Sequence, residues 1–201
     1  MLRKWFGPSR DEIWRRLSEE LGAEYVDGGF CRSARVEAAH GEWRMTLDTY
    51  TVSTGKTSVV YTRMRAPYVN PDEFRFTIYR RGVFSDVGRF FGMQDLEVGD
   101  PAFDRDFIVK GTDEARLRSL FSSPRLREVL QRQPAVHLSV KDDEGWLGTR
   151  FPDRVDVLAF VVVGVIKDIE RLKALYELFA VTLDELCRIG AAYESDPEVR
   201  L

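Results

Sequence analysis

Val155-Asp156-Val157-Leu158-Ala159-Phe160-Val161-Val162-Val163-Gly164-Val165-Ile166 runs directly into Lys167-Asp168 and then into a stripe of Ile169, Leu172, Tyr176, Phe179, Leu183 and Leu186. From Val157 to Ile166 β-branched residues occupy both alternating faces, the pattern of a strand covered on both sides. After Asp168 the apolar period changes to steps of three and four, with Leu175 and Cys187 widening the stripe, which predicts a long amphipathic helix ending near Ile189. The strand run is about half of the ~20 residues that a membrane-spanning helix needs. The rest of the chain must therefore supply a layer to cover this pair.

Working outward, Ser9 and Glu12 form a capping box, and Ile13, Trp14, Leu17 and Leu21 repeat at helical spacing up to Gly22, so a first helix is predicted there. Tyr25-Val26 and Phe30-Cys31 flank an Asp27-Gly28-Gly29 turn signal and suggest a short hairpin. Ala34–Ala39, Trp43–Val52, Thr57–Ala66 and Phe74–Arg80 read as four successive strands of an antiparallel meander, separated by His40-Gly41, Thr54-Gly55 and Asn70-Pro71. Gly82–Gly99 interrupts the pattern, with Ser85–Gly92 as a short helix inside it. A strand is expected near Arg105–Lys110. A helical pair follows, capped at Thr112 or Asp113 and at Ser123-Pro124, then a strand at Val136–Lys141 and a second edge near Trp146-Leu147. No repeat or low-complexity linker appears, so residues 1–201 are expected to form a single globular domain in which 82–99 is an internal loop or lip.

At 201 residues the chain can bury roughly 70% of its unfolded surface without staples. Hydrophobic residues at 44% and charges at 31% exclude a disordered or fibrous class. The net charge of −3 supplies no global attraction to nucleic acid or anionic lipid. Cys31 and Cys187 are too few and too far apart for a disulfide framework or a metal motif, and the basic, aromatic N-terminus lacks the apolar core of a secretory signal. Free thiols in a cytoplasmic protein without a transmembrane segment are the expectation.

Gly99-Asp100-Pro101-Ala102-Phe103-Asp104-Arg105-Asp106-Phe107-Ile108-Val109-Lys110-Gly111, followed by Asp113 and a leucine-bearing helix, resembles an uncharacterised bacterial domain family. Members carry a phenylalanine, an aspartate, two variable residues and a phenylalanine ahead of a strand. The resemblance runs from about Glu97 to Ile189. It implies a bacterial protein and brings no activity, cofactor or catalytic residue with it.

Several groups deserve a chemical reading of their own. Ser53-Thr54-Gly55-Lys56-Thr57 ends like a phosphate-binding loop, but Tyr50 stands where the first glycine belongs and strands flank both sides, so a hairpin turn is favoured. Asp104 and Asp106, with Asp100 and Asp113 nearby, offer hard oxygen ligands on one face of the expected strand, although Arg105 between them favours ion pairing over a metal. Asp142-Asp143-Glu144-Gly145 lacks the ligand spacing of a calcium loop and reads as a solvated turn. His40 and His137 have no partner motif that would make either a catalyst, and Cys187 falls on an apolar helix side as an inert thiol. Arg63, Arg65, Arg75 and Tyr79, with Tyr61, Tyr68, Arg80 and Arg81, could form a basic aromatic sheet face that stacks bases, but the acidic balance weighs against nucleic acid. Phe84, Phe90, Phe91 and Met93, spaced by glycines, are the candidate ligand-binding lip, with completion of the core as the competing role.

These readings converge on an α+β fold, a curved and mostly antiparallel sheet packed against a long C-terminal helix, with an N-terminal helix and a central helical pair. A helix-grip-like architecture is one concrete version. The functional expectation is a non-catalytic binding or protein-interaction protein without cofactor or metal. The alternative is a pocket protein or enzyme holding an apolar or amphipathic small molecule between sheet and C-terminal helix.

Overall fold

Ser9 starts the first element because its hydroxyl accepts the Glu12 N–H while the Glu12 carboxylate accepts the Ser9 N–H, satisfying two donors that a helix start leaves open. The computed structural model describes residues 7–29, 33–82, 95–142 and 151–201. Within them the order is α1 (Arg10–Leu21), β1 (Glu24–Val26), β2 (Arg35–His40), β3 (Trp43–Thr54), β4 (Thr57–Val69), β5 (Phe76–Arg80) and β6 (Asp95–Leu96). There follow α2 (Pro101–Asp106), β7 (Phe107–Gly111), α3 (Glu114–Phe121), α4 (Pro124–Gln131), β8 (His137–Lys141), β9 (Val155–Val163) and α5 (Ile169–Arg188). The strands form one curved, open antiparallel sheet in the order β1-β2-β3-β4-β9-β8-β5-β7-β6.

The α+β class, the N-terminal helix, the central helical pair and the long C-terminal helix are as the sequence predicts. The meander is shorter than predicted. β2, β3 and β4 are sequential neighbours, but the strand at Phe74–Arg80 leaves them and pairs with β7 and β8 instead. β9 takes the free edge of β4 along its whole length, from Tyr61 opposite Val163 to Val69 opposite Val155. The physical reason is burial: β9 is the most apolar strand and sits between two neighbours. β1 pairs with β2, and Phe30-Cys31, the second arm of the hairpin expected around Asp27-Gly28-Gly29, lies outside the described residues.

A second correction concerns Arg105–Lys110. Asp100 accepts the N–H groups of Ala102 and Phe103, and Pro101 occupies the first helical turn, so Asp104-Arg105-Asp106 lies in α2 and the strand begins only at Phe107. Phe103 turns inward against Phe107 and Phe121. The short helix at Ser85–Gly92, the lip residues Phe84, Phe90, Phe91 and Met93, the edge at Trp146-Leu147, and Cys31 lie outside the described residues.

Cross-strand register sorts the sheet into two faces. Val36, Leu47, Met64, Phe160, Leu138, Ile78 and Val109 follow one another across β2, β3, β4, β9, β8, β5 and β7 on one face. These residues join Trp14 and Leu17 of α1, Leu120 of α3, Leu130 of α4, and Leu172, Leu175, Phe179, Leu183 and Leu186 of α5 in a single cluster. Tyr176 of α5 donates its hydroxyl to the Val36 carbonyl at 3.1 Å, and burial drives its ionisation far above the usual phenol range. These side chains occupy the layer between sheet and C-terminal helix, the interior in which the alternative expectation seats an apolar or amphipathic ligand.

Among the described residues no helix packs on the opposite face. β9 carries Val155, Val157, Ala159, Val161 and Val163 there, and cover runs out along it: Val157 is 1% exposed and Val163 is 62% exposed.

Candidate functional site

Alternation along β3 and β4 puts Thr46, Asp48, Tyr50 and Val52 on the helix-free face, directly opposite Arg65, Arg63, Tyr61 and Val59. The hairpin turn fixes this register. Thr54 pairs with Thr57 around Gly55-Lys56, and Gly55 adopts φ +66°, a conformation that a side chain would strain. The segment that ends like a phosphate-binding loop is therefore a two-residue hairpin turn.

Asp48 is the centre of the arrangement. Its carboxylate takes a two-pronged grip from Arg63, with Nε at 2.8 Å and Nη2 at 2.7 Å, and a third bond from Arg65 Nη2 at 2.6 Å. The Arg63 guanidinium also lies over the Tyr50 ring at 5.0 Å, and Tyr50 stacks on Tyr61 with centroids 5.1 Å apart. Burial pushes the Tyr50 hydroxyl up, against the opposing pull of Arg63. On β2, Glu37 accepts from Arg35 at 2.5 Å and from Arg44 at 3.2 Å. Burial alone would raise the Glu37 carboxyl, yet the two guanidiniums hold it below the usual carboxylate range.

These side chains border an open pocket of about 430 Å³ lined by Ser33, Arg35, Asp48, Thr49, Tyr50, Thr51, Arg63, Arg65 and Leu201. Its chemistry is that of recognition. Its lining sets the guanidiniums of Arg35, Arg63 and Arg65 beside the Tyr50 ring, and Asp48 is held in ion pairs with two of them.

A second polar centre lies at the far end of the sheet. Asp156, 2% exposed, accepts Asn70 Nδ2 at 2.6 Å and Arg75 Nε at 3.0 Å, and Arg75 also reaches Asp142 at 3.0 Å. It borders an open pocket of about 330 Å³ with Glu73, Phe151, Pro152 and Asp153.

The predicted base-stacking set is divided between these places. Arg63 and Arg65 are neighbours on β4, whereas Arg75 and Tyr79 belong to the β5 region, with β9 and β8 in between. Tyr68 points into the helical core and is fully buried. Arg80 caps carbonyls of Gln131 and Gln133 and lies over the Phe107 ring, and Arg81 donates to the Asp104 carbonyl. The expected contiguous basic aromatic face is therefore not formed. Asp104 accepts from the Val98 and Gly99 N–H groups, and Asp100 pairs with Arg127, so these carboxylates serve as caps and ion pairs.

The histidines differ from each other. His40 hydrogen-bonds Asp184 of α5 at 2.8 Å and stacks on Trp43, a partner that the sequence did not reveal. His137 faces Tyr79 across the ladder on the helix-free side. Burial, with a smaller contribution from Lys141, lowers its pKa from 6.5 to about 4. Between those values the unfolded chain binds a proton that the folded chain refuses. Stability is thus fully present above the unfolded value and is lost as the pH falls toward the folded one. Wild-type protein should lose about 2 kcal/mol between pH 7 and pH 5 from this group. Urea unfolding of His137→Gln at both pH values checks it: the variant should lack that loss, and an identical pH dependence would contradict it. Cys187 is half-buried, and burial raises its thiol above the ordinary range.

No family model matches the chain, and no curated protein matches it. The crystal structure of the mycobacterial trehalose monomycolate transport factor A, TtfA, is similar in fold, with a TM-score of 0.55 at 10% sequence identity over 90% of this chain and 95% of that one. At that identity the likeness concerns the fold alone. No helix among the described residues is long and apolar enough to cross a membrane.

Proposed function

We propose that the chain is a non-catalytic binding protein that presents the helix-free face of its sheet, around Asp48, Tyr50, Arg63 and Arg65, to a partner. The observation that carries this reading is the contrast between the two faces. One is covered by helices and filled with apolar side chains, while the other holds an open pocket lined by Arg35, Asp48, Arg63, Arg65 and Tyr50, whose ring stacks on Tyr61. Such a surface suits recognition, because its charged groups are already oriented by one another before a partner arrives. Asp48, bound by two guanidiniums, is poorly placed to take a proton from a substrate, which supports binding over acid-base work.

The partner class under this reading is a protein or an amphipathic small molecule, and the open face replaces the sheet-helix interior as its seat. The shared fold with a factor whose name associates it with trehalose monomycolate transport supports keeping the amphipathic molecule in view. A cytoplasmic setting is supported by the free thiol of Cys187.

Native mass spectrometry of the full chain, purified gently from its own host, tests the proposal together with amide exchange of the bound and stripped forms. A retained protein or small molecule that protects β3 and β4 supports it. Protection confined to the helices, or repeated recovery of the bare chain, overturns it.

A further inference from the structure

Beyond α5 the chain passes over the edge of the sheet. Ala191 and Ala192 are buried in the core, and the Tyr193 N–H then donates to the carbonyl of Val69, the last residue of β4, at 3.3 Å. Glu194 lies against Gly41 in the β2–β3 turn, so closely that a side chain added at Gly41 would run into its carboxylate.

From there the chain follows the helix-free face. The alternation of β2 and β3 puts Arg44, Glu37 and Arg35 on that face together with Asp48. Arg200 and the Glu198 N–H hold the Asp196 carboxyl below the usual carboxylate range, and Arg44 adds to their effect. Asp196 in turn raises the Arg200 guanidinium, and Glu37 adds to that. Asp196 is thus within electrostatic reach of Arg44 and Arg200 of Glu37, while Leu201 lines the pocket with Arg35 and Asp48. The stretch from Arg44 to Asp48 spans about 13 Å of strand, which an extended chain from Asp196 to Leu201 covers.

Side chains along this segment alternate. Asp196, Glu198 and Arg200 are exposed, whereas Pro197, Val199 and Leu201 are half-buried, the period of an extended chain lying with one row against a surface. Its hydrogen bonds are local. The Ser195 N–H donates to the Tyr193 carbonyl at 2.9 Å, the Glu198 N–H to the Asp196 carboxylate at 2.8 Å, and Arg200 to Asp196 at 3.0 Å. Among the described residues none of these bonds reaches the sheet, so half-buried apolar groups seat the segment and lifting it breaks no ladder bond. Glu198, between the inward Pro197 and Val199, holds φ +58°, in the left-handed region that favours glycine.

We propose that Ser195–Leu201 is a movable strap that closes one side of the Asp48 pocket, and that a partner enters the pocket by lifting it. The inference rests on the proposed binding role and adds its regulation, since the chain then carries its own competitor for the site. A segment seated by alternate apolar groups and by no ladder bond belongs with the parts of a fold that open locally at low cost. The apparent affinity for the partner is reduced to the fraction of chains whose strap is up.

Hydroxyl-radical oxidation of side chains, read residue by residue by mass spectrometry on the full chain, tests the seat. Val199 and Leu201 should oxidise several-fold more slowly in the protein than in a synthetic peptide spanning Tyr193–Leu201. Glu198→Pro forbids the positive φ without altering the inward row, and at an exposed position it should leave the thermal melt unchanged. It should bring Val199 and Leu201 to the peptide's rate and raise the oxidation of Tyr50. The double variant Val199→Ser with Leu201→Ser, which removes apolar groups instead, should raise Tyr50 in the same way. In the native mass spectrometry the Glu198→Pro chain should retain about tenfold more partner, the gain expected when the wild-type strap is up about a tenth of the time. Oxidation of wild-type Leu201 at the peptide's rate, or unchanged Tyr50 in both variants, overturns the strap. So does a Glu198→Pro chain that retains no more partner than the wild-type chain. Where both retain some, the binding role stands, and where both are bare it falls as well.

Discussion

Phe179→Asp abolishes the cooperative unfolding transition of the full chain. Phe179 is fully buried in the middle of α5, in the cluster that joins the helices to one face of the sheet. Removing a buried phenylalanine ring alone costs about 3–5 kcal/mol. Placing a carboxylate there adds the cost of a charge with no partner, or of holding it protonated near neutral pH. Those two costs together are comparable with the whole stability of a typical domain, about 5–15 kcal/mol. A sloping thermal melt monitored by near-ultraviolet circular dichroism is the expected result. A sigmoidal melt at the wild-type midpoint would show that α5 does not seal the sheet.

The second large effect lies at the other polar centre. Asp156→Ala should lower stability by about 3–5 kcal/mol, because it leaves the half-buried Arg75 and the fully buried Asn70 without the carboxylate that both use. Asn70 also donates to the Phe74 carbonyl and accepts the Phe74 N–H, so it shapes the bend by which the chain leaves β4 for β5. Urea unfolding should show the midpoint falling sharply. A double variant, Asp156→Ala with Arg75→Met, should recover part of the loss, since no arginine is then left without its main partner. A loss below about 1 kcal/mol, within the range of an exposed ion pair, would place the network in solvent.

Most elements are legible in the sequence because they rest on local chemistry. The capping box at Ser9 and Glu12, the proline at the start of α4 and the period change at Asp168 each act within a few residues. The partner of each strand is not local. Nothing between Asn70 and Phe74 announces that the next strand will abandon β4, because that choice depends on β9, a segment far along the chain competing for the same edge. The strand expected at Arg105–Lys110 was displaced by two signals that are visible in the sequence, Asp100 as a cap and Pro101 behind it, which outweigh the alternating pattern that follows.

The candidate site was half legible. Arg63 and Arg65 stood out by their spacing, but Asp48 did not, although counting back along both strands from the Gly55-Lys56 turn sets it opposite Arg63. Arg75 and Tyr79 belong to the same set only if β5 neighbours β4, and β9 and β8 stand between those strands. The His40–Asp184 bond joins a sheet turn to the last helix and has no signature at the level of sequence spacing.

The position of β9 has a consequence for the order of events during synthesis. It is the seam between two groups of strands, β1 to β4 on one side and β8, β5, β7 and β6 on the other. Neither group can meet the other until β9, which follows all the other described strands, has emerged, and pairing across the long separation between β4 and β9 is slow. Until then the inner edges of β4 and β8 are both open. The two groups therefore stay apart until β9 follows them, and its pairing with β4 and β8 turns them into one sheet.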